Sequence, residues 1–156
     1  MIRIHFTHKE NLHELARRLL SEELGYPATI LHTPEGKPYV DGDGIYFSLS
    51  HSGKKGVVAI YESPVGVDLE YLGERDFSAV LSRFTERERQ EIFTKEDFIR
   101  NWTAKEAFIK MHGYTLATSL KCLEYFGGHI YFKGEKSPCE ITHYKLGKTG
   151  ILAICR

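Results

Sequence analysis

The chain has 156 residues, of which 42% are hydrophobic, 12% aromatic and 27% charged, a globular composition without long disorder. That length suits one compact domain, or two small halves sharing a core, and excludes a multidomain assembly. Twenty-one Lys+Arg against 21 Asp+Glu leave a formal charge of +0, so no global field draws the chain to nucleic acid or anionic lipid, and any anion must be held by a local site.

Ile2 to Phe6 alternates apolar and polar residues and predicts a short strand. Thr7 followed by Glu10 has the form of a capping box, and Leu12, Leu15, Ala16, Leu19, Leu20 and Leu24 then recur at helical spacing until Gly25. Thr29 to His32 and Gly36 to Tyr39 read as extended pieces ahead of an Asp-Gly-Asp-Gly turn. Gly44 to Ser50 and Gly56 to Tyr61 are β-rich around Ser52-Gly53-Lys54-Lys55, a hairpin signal, and Val65 to Tyr71 predicts another strand. Helical patterns follow over Phe77–Phe84, from Thr85 to about Phe93, and over Lys95–Met111, the longest, closed by Gly113. Strand-like segments return near Cys122–Phe126, His129–Phe132, Glu140–Lys145 and Ile151–Cys155. Strands, then helices, then strands indicate an α+β fold, and no Ser/Gly/Pro-rich linker divides it.

Cys122, Cys139 and Cys155 are an odd number without CxxC spacing, which predicts no disulfide framework and a reducing compartment. No cysteine and histidine cluster completes a zinc set. No apolar run approaches the ~20 residues that span a bilayer, and the start carries no long apolar h-region. The expectation is a soluble, cytoplasmic protein that binds neither membrane nor nucleic acid.

Four segments carry candidate chemistry. In Val65-Gly66-Val67-Asp68-Leu69-Glu70-Tyr71, strand alternation puts Gly66, Asp68 and Glu70 on one face and the apolar residues on the other. Two carboxylates side by side repel unless a cation or donors separate them, which suggests a divalent-metal site; the same pattern also fits an acidic, solvated strand face. On the long helix, Glu106 and Lys110 share a face four residues apart within Trp102-Thr103-Ala104-Lys105-Glu106-Ala107-Phe108-Ile109-Lys110. An exposed ion pair is one reading, a carboxylate joining Asp68 and Glu70 the other. In Phe47-Ser48-Leu49-Ser50-His51-Ser52-Gly53, Ser50, His51 and backbone N–H groups at a strand end can hold a phosphate, or the segment is a plain polar hairpin turn. Ser50 and His51 point to opposite faces of a strand, which argues against a Ser–His nucleophile. Gly36-Lys37-Pro38-Tyr39 offers close backbone approach, a positive charge and a fixed bend, or is an ordinary loop.

In this order and spacing, Gly36-Lys37-Pro38, Phe47 to Ser52, Gly66-Val67-Asp68-Leu69-Glu70 and Trp102 to Lys110 with Gly113 resemble the signature of the 4′-phosphopantetheinyl transferases, in the larger, surfactin-synthetase-activating type. The resemblance spans most of the chain from about Phe6. It implies one transferase domain over 1–156, a monomeric pseudodimer of two related α+β halves near 1–64 and 65–156, each an antiparallel sheet with a packed helix. It implies transfer of the 4′-phosphopantetheine arm of coenzyme A to a serine of an acyl or peptidyl carrier protein, releasing adenosine 3′,5′-bisphosphate. Asp68, Glu70 and Glu106 are then the ligands of Mg²⁺, or of Mn²⁺ in its place, together with the coenzyme A pyrophosphate.

The same resemblance makes Glu106 the base for the incoming serine, a role that competes with metal ligation because a ligand carboxylate is a poor base. It makes Lys110 the group that faces the pyrophosphate and stabilises the leaving phosphate. Lys9, Lys37, Pro38, Ser50, His51 and Lys105 are implied coenzyme A contacts, with Lys37 and Pro38 at the adenine end and His51 toward the 3′-phosphate. The stretch before His51 is short for this type, and Glu14 stands in the first helix where a basic residue is usual, leaving Arg17 or Arg18 to replace it. Gly113 to Lys121 is the candidate carrier-docking segment, with a loop packing back on the sheet as the other reading. The competing functions are a coenzyme A or nucleotide-binding module without catalysis, and a metal-dependent phosphohydrolase, for which no second acidic pair is evident.

Overall fold

A computed structural model describes residues 1–8, 11–42, 44–73 and 77–156, without the Thr118 side chain. The expected contact at Lys9 lies outside the described residues. The first strand, β1 (Arg3–His8), runs two residues past its expected end, so Thr7 is extended backbone and not a helix cap. The helix α1 (Leu12–Leu24) is capped by Asn11, whose Oδ1 accepts from the His13 and Glu14 N–H groups. Gly25 closes it in the left-handed conformation, as its position after the last periodic leucine predicts.

Two short strands, β2 (Ile30–His32) and β3 (Pro38–Val40), pair as a hairpin. They precede β4 (Tyr46–Ser52) and β5 (Lys55–Tyr61), joined by the two-residue turn at Gly53-Lys54. After β6 (Gly66–Tyr71) come two single turns, α2 (Ser78–Leu81) and α3 (Glu86–Arg89), much shorter than the expected helices. Thr85 and Glu88 do form the capping box that starts α3. The long helix α4 (Lys95–His112) is capped by the Thr94–Asp97 box and ended by Gly113. A single turn that the sequence reading missed, α5 (Leu116–Ser119), leads to β7 (Leu123–Phe126), β8 (His129–Phe132) and the two-residue β9 (Glu135–Lys136). The chain finishes with β10 (Ile141–Leu146) and β11 (Gly150–Cys155).

The fold is α+β, with antiparallel sheets ordered β1-β5-β4 and β10-β11-β6, flanked by β2-β3 and β7-β8-β9. In β5, Val58 and Ile60 pack beneath α1, while Val57 and Ala59 join Val67, Leu69, Leu152 and Ile154 from β6 and β11 in a core between the two main sheets. On β11 the other face belongs to α4, where Ala153 and Cys155 meet Ala104, Ala107 and Phe108. Burial on both faces explains why β5 and β11 read as nearly continuous apolar runs. All three cysteines are free thiols. Among the described residues no helix is long and apolar enough to cross a membrane.

Candidate active site

The site is assembled on β6, the edge strand beside β4. Alternation along β6 holds as expected, with Val65, Val67 and Leu69 in the core between the sheets. The opposite face is not a solvated one, however, because α4 covers it and leaves Asp68 only 5% exposed. Gly66 is what lets the helix come so close. A Cβ there would land on the Ala107 carbonyl oxygen and 2.6 Å from the Met111 nitrogen, both in the helix backbone. Gly66→Ala is therefore expected to destabilise the chain by about 1–3 kcal/mol or more through overpacking, read by urea denaturation. An unchanged midpoint would contradict this helix–strand approach.

Helix α4, seated on that glycine, delivers Glu106 and Lys110 to the acidic strand. The Lys110 ammonium lies 2.6 Å from Asp68 Oδ1 and 3.0 Å from Ser50 Oγ. Ser50 donates to the same carboxylate oxygen at 2.9 Å, and Ser52 donates to Glu70 Oε2 at 3.0 Å. Asp68 Oδ2 is buried and has no hydrogen-bond partner among the described residues, an uncompensated acceptor. Glu106 lines the same cleft as Asp68, Glu70, Lys110, His51 and Trp102. Its carboxyl is pushed up to about 7, first by burial and then by the Asp68 charge, with Lys110 opposing and Glu70 adding. A half-satisfied aspartate beside two further carboxylates is the charge distribution that a hard divalent cation relieves, and oxygen-only donors suit Mg²⁺ or Mn²⁺. As they stand, no three His, Cys, Asp or Glu side chains among the described residues close around one point as a metal cluster.

The cleft continues in two directions. One arm shares Leu49 and Lys110 with it and is lined by Lys37, Pro38, Gly113 and Tyr114. There the Lys37 ammonium donates to the Met111 carbonyl at the end of α4, and burial lowers its proton affinity. The other arm shares Leu49 and His51 and is lined by His13, Lys54, Lys55 and Gly56. The structure thus brings together Asp68, Glu70, Glu106, Lys110, His51, Lys37 and Pro38. It brings His13 rather than Arg17 or Arg18 to the first-helix side, since both arginines are exposed and outside that lining.

Two expected contacts are corrected. Lys105 does not face the cleft: its side chain is wholly buried, 2.8 Å from Glu88 Oε1 and over the Phe84 ring. One residue is about 100° of helix, so Lys105 points toward α3 and β7 while Glu106 points to β6. Ser50 is buried and its hydroxyl is fully used, accepting from the Leu69 N–H and Lys110 and donating to Asp68, so it has no proton to offer a phosphate. The sequence reading assigns no role to Ser52, Lys54 or Lys55, and places Tyr114 only in the candidate carrier-docking segment. The two lysines were visible only as part of a hairpin signal, and Ser52 only as its polar edge.

The family model described as the 4′-phosphopantetheinyl transferase superfamily matches residues 64–155, which include β6, α4 and all four charged groups of the central cleft. The chain is 30% identical to 4′-phosphopantetheinyl transferase psf-1 of Bacillus pumilus, over 90% of this chain and 67% of that protein. It is 34% identical to 4′-phosphopantetheinyl transferase gsp of Aneurinibacillus migulanus over 69% of this chain and 53% of that protein, so it spans about half the length of that relative. Against 4′-phosphopantetheinyl transferase Sfp of Bacillus subtilis the identity is 26% over 96% of this chain and 76% of that protein. On the match over residues 64–155, which hold the acidic strand and the helix seated on it, the chain belongs to the 4′-phosphopantetheinyl transferase superfamily.

Proposed function

We propose that the chain transfers the 4′-phosphopantetheine arm of coenzyme A to a serine hydroxyl of an acyl or peptidyl carrier protein. The observation that carries this reading is the convergence of Asp68, Glu70, Glu106 and Lys110 on one cleft, with one buried carboxylate oxygen of Asp68 unpartnered among the described residues. In the reaction a bond forms between the serine oxygen and the phosphorus that carries the pantetheine, as that phosphorus parts from adenosine 3′,5′-bisphosphate. Asp68, Glu70 and Glu106 would hold Mg²⁺, or Mn²⁺, which when bound supplies charge neutralisation to the pyrophosphate.

The remaining work falls to the chain's own groups. Lys110, anchored by Asp68 and Ser50, presents a fixed positive charge to the departing phosphate. Glu106, which lines the same cleft, takes the serine proton directly or through water where it is not itself held by the cation, since a ligand carboxylate is a poor base. Lys37 and Pro38 lie along one arm of the cleft and suit the adenine end, while His51, Lys54 and Lys55 along the other suit phosphate. For the carrier, the surface around α5 has an apolar floor of Leu116, Ala117 and Leu120 with Arg83 and Lys121 at its rim, a match for an acidic helix.

The reading is of a monomeric pseudodimer with halves near 1–64 and 65–156. Each main sheet places its last strand at the centre, between its first strand and its penultimate one, and β4 and β6 from the two halves flank one cleft. The test is to incubate the chain with coenzyme A, Mg²⁺ and several unrelated apo carriers, then weigh the carriers. A gain of one phosphopantetheine mass is the expected result. Coenzyme A binding without any mass gain would replace the transferase by a binding module.

A further inference from the structure

Strand β6 is the free edge of its sheet, because β11 takes its other side. An edge strand leaves alternate N–H groups without ladder partners. Here they are met by side chains: Val67 N–H donates to Ser48 Oγ at 3.0 Å, Leu69 N–H to Ser50 Oγ at 3.1 Å and Tyr71 N–H to Ser52 Oγ at 3.3 Å. The separation is 19 residues each time, so β4 and β6 run side by side in the same direction, joined by hydroxyls instead of backbone carbonyls.

A serine that accepts an N–H still has its one proton to give. The residues that precede the three N–H donors are Gly66, Asp68 and Glu70. Ser50 gives its proton to Asp68 and Ser52 gives its proton to Glu70, whereas Ser48 stands opposite a glycine with no carboxylate to orient. One repeating seam therefore does two jobs at its second and third steps and only one at its first.

We propose that Ser52 is a positioning residue for the metal site, holding the Glu70 carboxylate in its coordinating orientation while closing the β6 edge, and that Ser50 does the same for Asp68. The inference rests on the metal reading given above. Two neighbouring carboxylates repel and would splay without donors to hold them, so losing the Ser52 hydroxyl costs metal affinity and not merely seam strength. Ser48 is an internal control, since it contributes the same kind of seam bond without a carboxylate.

The experiment measures Mn²⁺ affinity of the full chain by electron paramagnetic resonance, without coenzyme A or carrier, beside thermal melting. Ser52→Ala and Ser52→Val are expected to weaken Mn²⁺ binding by about tenfold or more, the usual cost of removing a group that orients a ligand. Ser52→Thr, isosteric with the valine variant but retaining the hydroxyl, restores wild-type affinity. Ser48→Ala lowers the melting temperature, as the lost seam bond requires, and leaves Mn²⁺ affinity unchanged. Wild-type affinity in Ser52→Ala and Ser52→Val, or equal weakening in Ser48→Ala, overturns the positioning role while the metal site stands. If the wild-type chain takes up no Mn²⁺, the metal reading itself fails and this inference fails with it.

Discussion

Replacing Glu106 by Gln or Ala is expected to reduce phosphopantetheine transfer roughly 10³-fold or more, because several kcal/mol of transition-state charge stabilisation are lost and each 1.4 kcal/mol is tenfold in rate. The same variants are expected to melt at or above the wild-type temperature in divalent-free buffer. Glu106 is desolvated and pressed by the charges of Asp68 and Glu70, with only Lys110 in its favour, so the folded chain without a cation gains by losing that charge. Opposite movements of activity and stability are the signature of a residue kept for chemistry. Mass spectrometry of the carrier and a melting curve of the enzyme check both halves. Near-wild-type turnover would remove Glu106 from the reaction, and a large drop in melting temperature would make it a structural residue.

Lys105→Ala is expected to show the reverse pattern, a large loss of stability. Its ammonium and the Glu88 carboxylate are both fully buried at 2.8 Å, with Glu88 Oε1 also accepting the Tyr125 N–H and Glu88 Oε2 accepting the Thr85 N–H. Removing the lysine alone strands a buried charge, a change that costs about 3–5 kcal/mol. For a chain of this length that lowers the melting temperature by roughly 10 °C. Lys105→Met combined with Glu88→Leu removes both charges and is expected to recover part of the loss, the remainder reflecting the Thr85 and Tyr125 N–H groups that lose their acceptor. Coenzyme A affinity in the double variant should match wild type, since Lys105 faces Glu88 and Phe84 and not the cleft. A destabilisation below about 1 kcal/mol in Lys105→Ala would show that water or another hydrogen-bond donor relieves Glu88.

These two neighbours on α4 mark how far the sequence could be read. The helix itself was legible, since the apolar spacing from Phe98 to Met111 and the closing Gly113 are local signals; the Thr94–Asp97 box that starts it went unread. The alternation of β6 was legible for the same reason, because side-chain direction in a strand follows from the residue's parity. Those periodicities also separate Lys105 from Glu106 by about 100°, yet they say nothing of what stands on each side. That Lys105 meets Glu88 while Glu106 meets the acidic strand was set by where α4 packs, and Gly66 is the contact that decides it.

Some local signals were present and outcompeted. Thr7 and Glu10 have the form of a capping box, but pairing of β1 with β5 extends through Thr7 and His8, so the helix starts later, at Asn11. The helical patterns from Phe77 and Thr85 shrink to single turns, one of which serves to bury Glu88 against α4.

The α+β order of elements, the acidic strand face, the Glu106–Lys110 spacing and the family are all written in near-neighbour patterns along the chain. Packing between distant segments is what buries Asp68, turns Lys105 toward Glu88, brings His13 rather than an arginine to the first-helix arm, and sets three serines of β4 along the edge of β6. The physical reason is range: capping and alternation act between residues a few positions apart. Which strand edge receives which hydroxyl depends instead on how two sheets far apart in the chain bury their common apolar face.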